Sequence, residues 1–163
     1  MSFEDLFGSK LHAAVHRQHP RDLYDVKLLY EHEGLTEDLF RTFLIHVACS
    51  SRPAHELLNP NFIYLNQPYI RQFEGMTKSP VELDGLLMTH SQLIADAQSR
   101  FDESTKQFPL SLQDGTPDFS AINRPQASEL PAVRWKLLNL KRLIRDNPRK
   151  HAKQREELEK LLG

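Results

Sequence analysis

The chain is poor in cysteine, in long apolar runs and in closely spaced acids. Cys49 is the only cysteine in 163 residues, so an intrachain disulfide and a thiolate-type structural zinc site are excluded, and a reducing cytoplasm is the expected compartment. No apolar run approaches the roughly 18 residues that a membrane span requires, and no membrane association is expected. The start, Met1-Ser2-Phe3-Glu4-Asp5, is acidic and lacks the basic and apolar regions of a secretory signal. No Asp-x-Asp pair occurs, and acids at that spacing point the same way only on a strand. Internal repeats and low-complexity tracts are missing too, which excludes solenoids and linker-like chains.

What is present is ordinary globular material. The hydrophobic share is 39% and the charged share 26%, the balance of a chain that buries a core. The length suits one domain, and residues 1–163 are read as a single helical domain. Net charge is −1 but unevenly placed: Arg134 to Arg155 carries nine Lys/Arg and one acid, Asp146, a local +8 against −9 elsewhere. Such asymmetry suits a polyanion site or an acidic partner; a solvated helix face offsetting acidic helices accounts for it as well.

Prolines, glycines and capping residues divide the chain into helices. A first helix is expected from about Glu4 to Gln18, stopped by Pro20, and a second from about Arg21 to Glu33, closed by Gly34. Thr36 reads as the N-cap of a third, whose apolar face is Leu39, Phe40, Phe43, Leu44 and Val47. Pro53, Pro60, Pro68 and Gly75 break the following stretch into short turns. Ser79-Pro80-Val81-Glu82 has the form of a capping box and predicts a long helix to about Gln107. Asp114-Gly115, between short apolar runs, is the one hairpin signal. Pro131 opens a helix with the core stripe Val133, Leu137, Leu140 and Ile144, and Trp135 is assigned to the core with them. Asn147-Pro148 caps the last helix. The expected class is all-α, a helical bundle with at most one short β-hairpin.

The segment from Lys10 to Asp25 is the richest in chemistry. On a helix Lys10, Ala14 and Arg17 share a face, two cations flanking a small residue. Beyond Pro20, Asp22 and Asp25 sit three apart on the next helix with Arg21 beside them. Cations on one helix facing carboxylates on the next can hold a triphosphate and position an attacking group. A helical hairpin in which Arg17 or Arg21 simply pairs with Asp22 or Asp25 has the same sequence. His12, His16 and His19 approach a metal-ligand spacing, but no carboxylate or cysteine completes the set, and surface histidines explain them better. Arg41 and His46 have the Arg-x4-His spacing of HEPN ribonucleases, which is short and frequent by chance.

The same segment reads Lys-Leu-x-Ala-x-x-x-Arg-x-x-Pro-Arg-Asp-x-Tyr-Asp from Lys10 to Asp25. This resembles the conserved lysine and Arg-Asp motifs of the AbiEii/AbiGii family of nucleotidyltransferase toxins, effectors of toxin–antitoxin and phage-defence systems. The likeness continues through Gly34-Leu35, Arg52-Pro53-x-His55-Glu56, Leu58-Asn59-Pro60, Phe108-x-Leu110-Ser111-Leu112, Gly115-x-Pro117-Asp118 and Leu130 to Leu137. By this resemblance Lys10 is the family's conserved lysine, and Arg21, Asp22 and Asp25 form its arginine-aspartate motif. Lys10, Asp22 and Asp25 are then the candidate catalytic residues, and Arg17 and Arg21 the candidate substrate-binding ones.

The chain departs from the family pattern at its start. Members open with a mixed α/β core carrying a Gly-Gly/Ser motif and an Asp-x-Asp pair, both ahead of the conserved lysine; here nine residues precede Lys10. Gly8-Ser9 mimics the first motif, but no acid pair with strand spacing follows it. The resemblance therefore implies a truncated, C-terminal half of an AbiEii-like nucleotidyltransferase, handling NTP and binding an acceptor or partner, inactive alone. No metal site and no cofactor are expected on this chain by itself, with magnesium entering only with a complete transferase core. The implied partners are an NTP, an RNA or protein acceptor along Arg134–Arg155, and an antitoxin or a second copy of the chain. The alternative is a non-enzymatic helical module that binds an antitoxin or a transferase core.

Overall fold

The computed structural model describes residues 2–163, and among them the regular structure is entirely helical. Helix α1 spans Phe3–His16 and is closed at its start by a reciprocal capping box, Asp5 N–H to Ser2 Oγ at 3.1 Å and Ser2 N–H to Asp5 Oδ2 at 3.4 Å. Helix α2, Pro20–His32, begins with proline at its first position, where the missing N–H costs nothing, and His19 caps it by accepting from Arg21 N–H at 3.2 Å. Helix α3, Glu37–Ala48, is capped by Thr36 as expected. Short helices α4 (Ala54–Leu58) and α5 (Asn66–Gln72) follow, then the long α6 (Leu83–Ser99) and α7 (Gln107–Gln113). Two 3₁₀ turns, Phe119–Ile122 and Pro125–Glu129, lead into α8 (Pro131–Asp146) and α9 (Pro148–Leu162).

The core forms where α1 crosses α3 and where α2 lies between α1 and α6. Leu11, Ala14 and Val15 of α1 meet Leu39, Phe40, Phe43, Leu44 and Val47 of α3, all but sealed from solvent. Each fully buried leucine or phenylalanine contributes roughly 1.5–3 kcal/mol, so this crossing is the main thermodynamic anchor. Gly8 makes the approach possible. A Cβ there would lie 2.8 Å from Thr42 Cγ2 and 3.0 Å from His46 Cδ2. Gly8, which mimicked the family's Gly-Gly/Ser motif, is a helix-packing residue. Helix α9 closes the opposite end of the molecule against α4, α7 and α8.

Four sequence expectations are corrected. The Asp114-Gly115 signal is no hairpin: Asp114 stays right-handed at φ −74° while Gly115 turns to φ +86°, whereas the favoured hairpin turn needs positive φ at both. Gly115 N–H reaches Leu112 O at 2.9 Å and Thr116 N–H reaches Ser111 O at 3.0 Å, the paired bonds of a helix C-terminus. Helix α6 starts at Leu83 rather than Pro80 and ends at Ser99, short of Gln107. The Val81 carbonyl is taken by the Tyr69 hydroxyl at 2.6 Å, a tertiary bond that holds the strand-like lead-in to α6. Trp135 is 53% exposed and Ile144 is exposed as well. The inward stripe of α8 is Val133, Lys136 and Leu140, at spacings of three and four.

Candidate functional site

The turn between α1 and α2 brings the predicted charges together. Gln18 adopts a left-handed φ of +56°, sparsely populated for a residue with a Cβ. It redirects the chain so that α2 runs back along α1. Lys10 Nζ then meets Asp25 Oδ2 at 2.8 Å, and Arg17 Nη2 meets Asp22 Oδ1 at 2.8 Å. Two cation–carboxylate rungs therefore cross the hairpin, the arrangement that the purely structural reading of the segment also requires. Asp22 has more to offer than that pair. Its second oxygen, Oδ2, is buried and has no hydrogen-bond partner, a costly state for a carboxylate.

Arg21 is not brought into this group. Its Nη2 lies 3.5 Å from the Gln72 carbonyl and 4.0 Å from Met76 Sδ, so it faces α5 rather than Asp25. It still borders the site: Arg17, His19, Arg21 and Asp22 line a cleft of about 310 Å³. Arg17 also lines a larger cleft of about 670 Å³, together with His16, Gln18, Arg52, Glu56 and Asn61.

Two side chains that sequence reasoning left without a role, Gln18 and Arg52, line this larger cleft, and a third, Lys136, bonds to one of them from outside it. Gln18 is 2% exposed and uses both ends of its amide: Nε2 donates to Asn61 O at 2.8 Å and Oε1 accepts from Ile63 N–H at 3.2 Å. Arg52 projects from the turn ahead of α4. Lys136 is 5% exposed and its Nζ donates to the Arg52 carbonyl at 2.6 Å. Burial pulls the Lys136 ammonium down to about 8, with Cys49 and Glu56 acting the other way. Lys136 was legible in principle, since it falls between Val133 and Leu140 on the core stripe; nothing in the sequence marked Gln18.

The histidines do not converge on a metal. His19 caps α2, while His12 and His16 have ring centroids 5.1 Å apart and His46 stacks on His12 at 6.4 Å. Burial first, then the neighbouring charges of His16, His46, Arg17 and Lys136, bring His12 down to about 4, and its buried Nε2 has no partner. Among the described residues no group of three or more His, Cys, Asp or Glu is placed to hold a metal. Asp22 and Asp25 each already meet a cation and do not form a paired-acid site. Arg41 pairs with Glu37 on its own helix at 3.1 Å, and His46 packs against α1 beside Gly8, each placed by a packing or ion-pair contact.

The basic stretch is also less uniform than its sequence. Arg134 pairs with Glu129, Arg145 with Asp146, and Arg155 with Asp114 and Glu159, while Lys136 is inside. Lys141, Arg142, Arg149, Lys150 and Lys153 remain without ion-pair partners among the described residues. None of the helices is long and apolar enough to cross a membrane.

The hairpin thus sets a lysine and an arginine against two aspartates, beside two open polar clefts. The family model for the nucleotidyl transferase AbiEii toxin of type IV toxin–antitoxin systems matches residues 1–139. The chain belongs to that family, and the match takes in both rungs, Arg52 and Lys136. No curated protein and no solved structure matches it.

Proposed function

We propose that this chain is the NTP-handling and acceptor- or partner-binding helical part of an AbiEii-type nucleotidyltransferase toxin, inactive by itself and acting in the cytoplasm. The observation that carries the reading is Asp22, a carboxylate paired with Arg17 at the rim of a cleft. A carboxylate so placed is suited to take the proton of an acceptor hydroxyl. In nucleotidyl transfer that oxygen bonds to the α-phosphorus as the bond to pyrophosphate breaks. Lys10, steadied by Asp25 at 2.8 Å, would face the developing charge, and Arg17 and Arg21 would hold phosphates. The paired acids of a two-metal site would come from a transferase core outside the described helices, and magnesium with them.

The partners of this reading are an NTP, an RNA or protein acceptor near the unpaired cations of α8 and α9, and an antitoxin or a second copy of the chain. The test is transfer of label from an α-labelled NTP to RNA or protein, with the chain alone and with a separately supplied core. Transfer only in the mixture, abolished by Lys10→Ala, supports the reading; transfer by the chain alone, or indifference to Lys10→Ala, overturns it.

A second reading, a non-enzymatic helical module, is favoured by one observation. Phe62, Ile63, Tyr64, Ile70 and Met76 are exposed apolar side chains, a surface suited to a protein partner. Activity of the mixture separates the two.

A further inference from the structure

An ammonium carries three N–H donors, and Lys136 spends one of them, among the described residues, on the Arg52 carbonyl at 2.6 Å. The side chain is 5% exposed, and no carboxylate of the described residues is in ion-pair contact with it. Cys49 and Glu56 draw its pKa up, but burial outweighs both and holds it at about 8. A buried charge with donors to spare is costly. Holding one turn does not account for it, since a neutral donor makes the same bond without the charge.

Lys136 also lines a cleft of about 210 Å³ between α8, α9 and the turn at 51–53, away from the α1–α2 hairpin. Lys150, exposed on α9 and without an ion-pair partner among the described residues, brings a second cation to it. No Asp or Glu among the described residues lines this cleft. Gln113 Nε2 donates to Gln154 Oε1 at 3.1 Å, which orients the Gln154 amide and leaves its Nε2 as a further donor. Pro53, Leu140 and Leu143 supply an apolar wall. The volume is below the roughly 300 Å³ at which pockets for whole drug-sized ligands begin. A nucleotide is too large for it; a group the size of one side chain is not. Donors of one charge beside an apolar wall suit a carboxylate on an aliphatic stem. A phosphate would set its oxygens against the leucines.

We propose that the α8–α9 cleft binds a carboxylate carried on a short aliphatic stem, with Lys136 and Lys150 contacting the anion and Leu140 and Leu143 packing on the stem. The source is the glutamate side chain of a protein partner or a free short-chain carboxylic acid, which share this chemistry. Leu140, Leu143, Lys150 and Gln154 lie beyond the residues that the family model matches, so half of the cleft is built outside the shared segment. The inference goes beyond the transfer reading and stands without it.

The test is an NMR titration of the full chain at fixed ionic strength, following the backbone amides of Asn139, Leu143, Lys150 and Gln154. The probes are sodium butyrate and an acetylated, amidated Ala-Ala-Glu-Ala-Ala peptide. Butyramide, the neutral counterpart of butyrate, is expected not to bind. Lys136→Met weakens butyrate about tenfold or more. Lys150→Gln, at an exposed position that the fold does not depend on, weakens it several-fold and decides the matter if Lys136→Met does not fold. Tighter binding of the peptide assigns the cleft to a protein partner and tighter binding of butyrate to a free acid; either supports the site. Binding of neither probe, equal affinity for butyramide or sodium phosphate, or undiminished butyrate affinity in the lysine variants overturns it. Lys10→Ala leaves butyrate binding intact, so failure of the transfer reading and failure of this site are separable.

Discussion

Lys10 and Asp25 meet at 2.8 Å across the α1–α2 hairpin, with each side chain about a third exposed (30% and 35%). An ion pair that open to water adds little to folding, typically under ~1 kcal/mol. Its geometry is held by the helices, not the reverse. Lys10→Ala is therefore expected to shift stability by less than ~1 kcal/mol, whereas Leu140→Ala, at a position 6% exposed, costs about 2–5 kcal/mol. Urea denaturation of both variants checks this, and equal losses would contradict the division of roles.

The second rung gives a prediction about chemistry. Asp22→Asn keeps the shape of the Arg17 pair but removes the carboxylate at the cleft rim. In the reconstituted enzyme it is expected to lower the transfer rate by about 100-fold or more. A rate within a factor of about three would remove Asp22 from the chemistry.

Nucleotide affinity of the chain alone is expected to be weak and indifferent to magnesium, because no group of acids among the described residues is placed to hold the ion. Calorimetry with ATP, with and without magnesium chloride, reads this directly. Tight, magnesium-dependent binding would show that the helices carry a metal site after all.

Acid sensitivity follows from two histidines. His90 is 1% exposed with both ring nitrogens unpartnered, and burial lowers it from 6.5 to about 4; His12 is lowered to about 4 as well. Between these values the unfolded chain binds protons that the folded chain refuses, so stability falls as pH drops from 6.5 toward 4 and levels off below. His90→Phe, which also relieves the two orphaned nitrogens, is expected to raise the melting temperature near pH 5 and flatten the acid limb. Melting curves across that range decide it, and an acid limb as steep as that of the parent chain would sink the assignment.

Gly8→Ala tests the α1–α3 crossing. A Cβ at 2.8 Å from the methyl of the buried Thr42 forces the helices apart or the side chain off its rotamer, at a cost of about 1–3 kcal/mol. A variant as stable as the parent would show that the crossing has room to give.

Most helices were readable because local signals agreed with tertiary packing. Pro20, Gly34, Thr36, Pro131 and Asn147 all punctuate as their chemistry dictates. The misreadings share a cause. Asp-Gly serves a helix end as well as a hairpin, and only the φ of Asp114 distinguishes them. Ser79-Pro80 has capping chemistry, but a hydroxyl twelve residues upstream of Val81 claims the carbonyl. Trp135 was assigned to the apolar stripe of its helix but is exposed, and Lys136 beside it is the residue that turns inward. In the site, Lys10, Arg17, Asp22 and Asp25 were legible because helix spacing and the proline break fix which residues can face one another. Gln18 was not, since its partners are main-chain atoms more than thirty residues away, nor was Arg52, whose carbonyl is held by the distant Lys136.

The tightness at Gly8 determines which member of the hairpin is able to travel. With Thr42 and His46 packed close to its backbone at Gly8, α1 sits tightly on α3. A helix movement that parts Lys10 from Asp25 is therefore easier for α2, about the turn at Gln18 to Pro20, than for α1. Since α2 is fastened to α6 through its packing and the bond from Tyr30 to Asp96 at 2.9 Å, that long helix would swing with it as a lever.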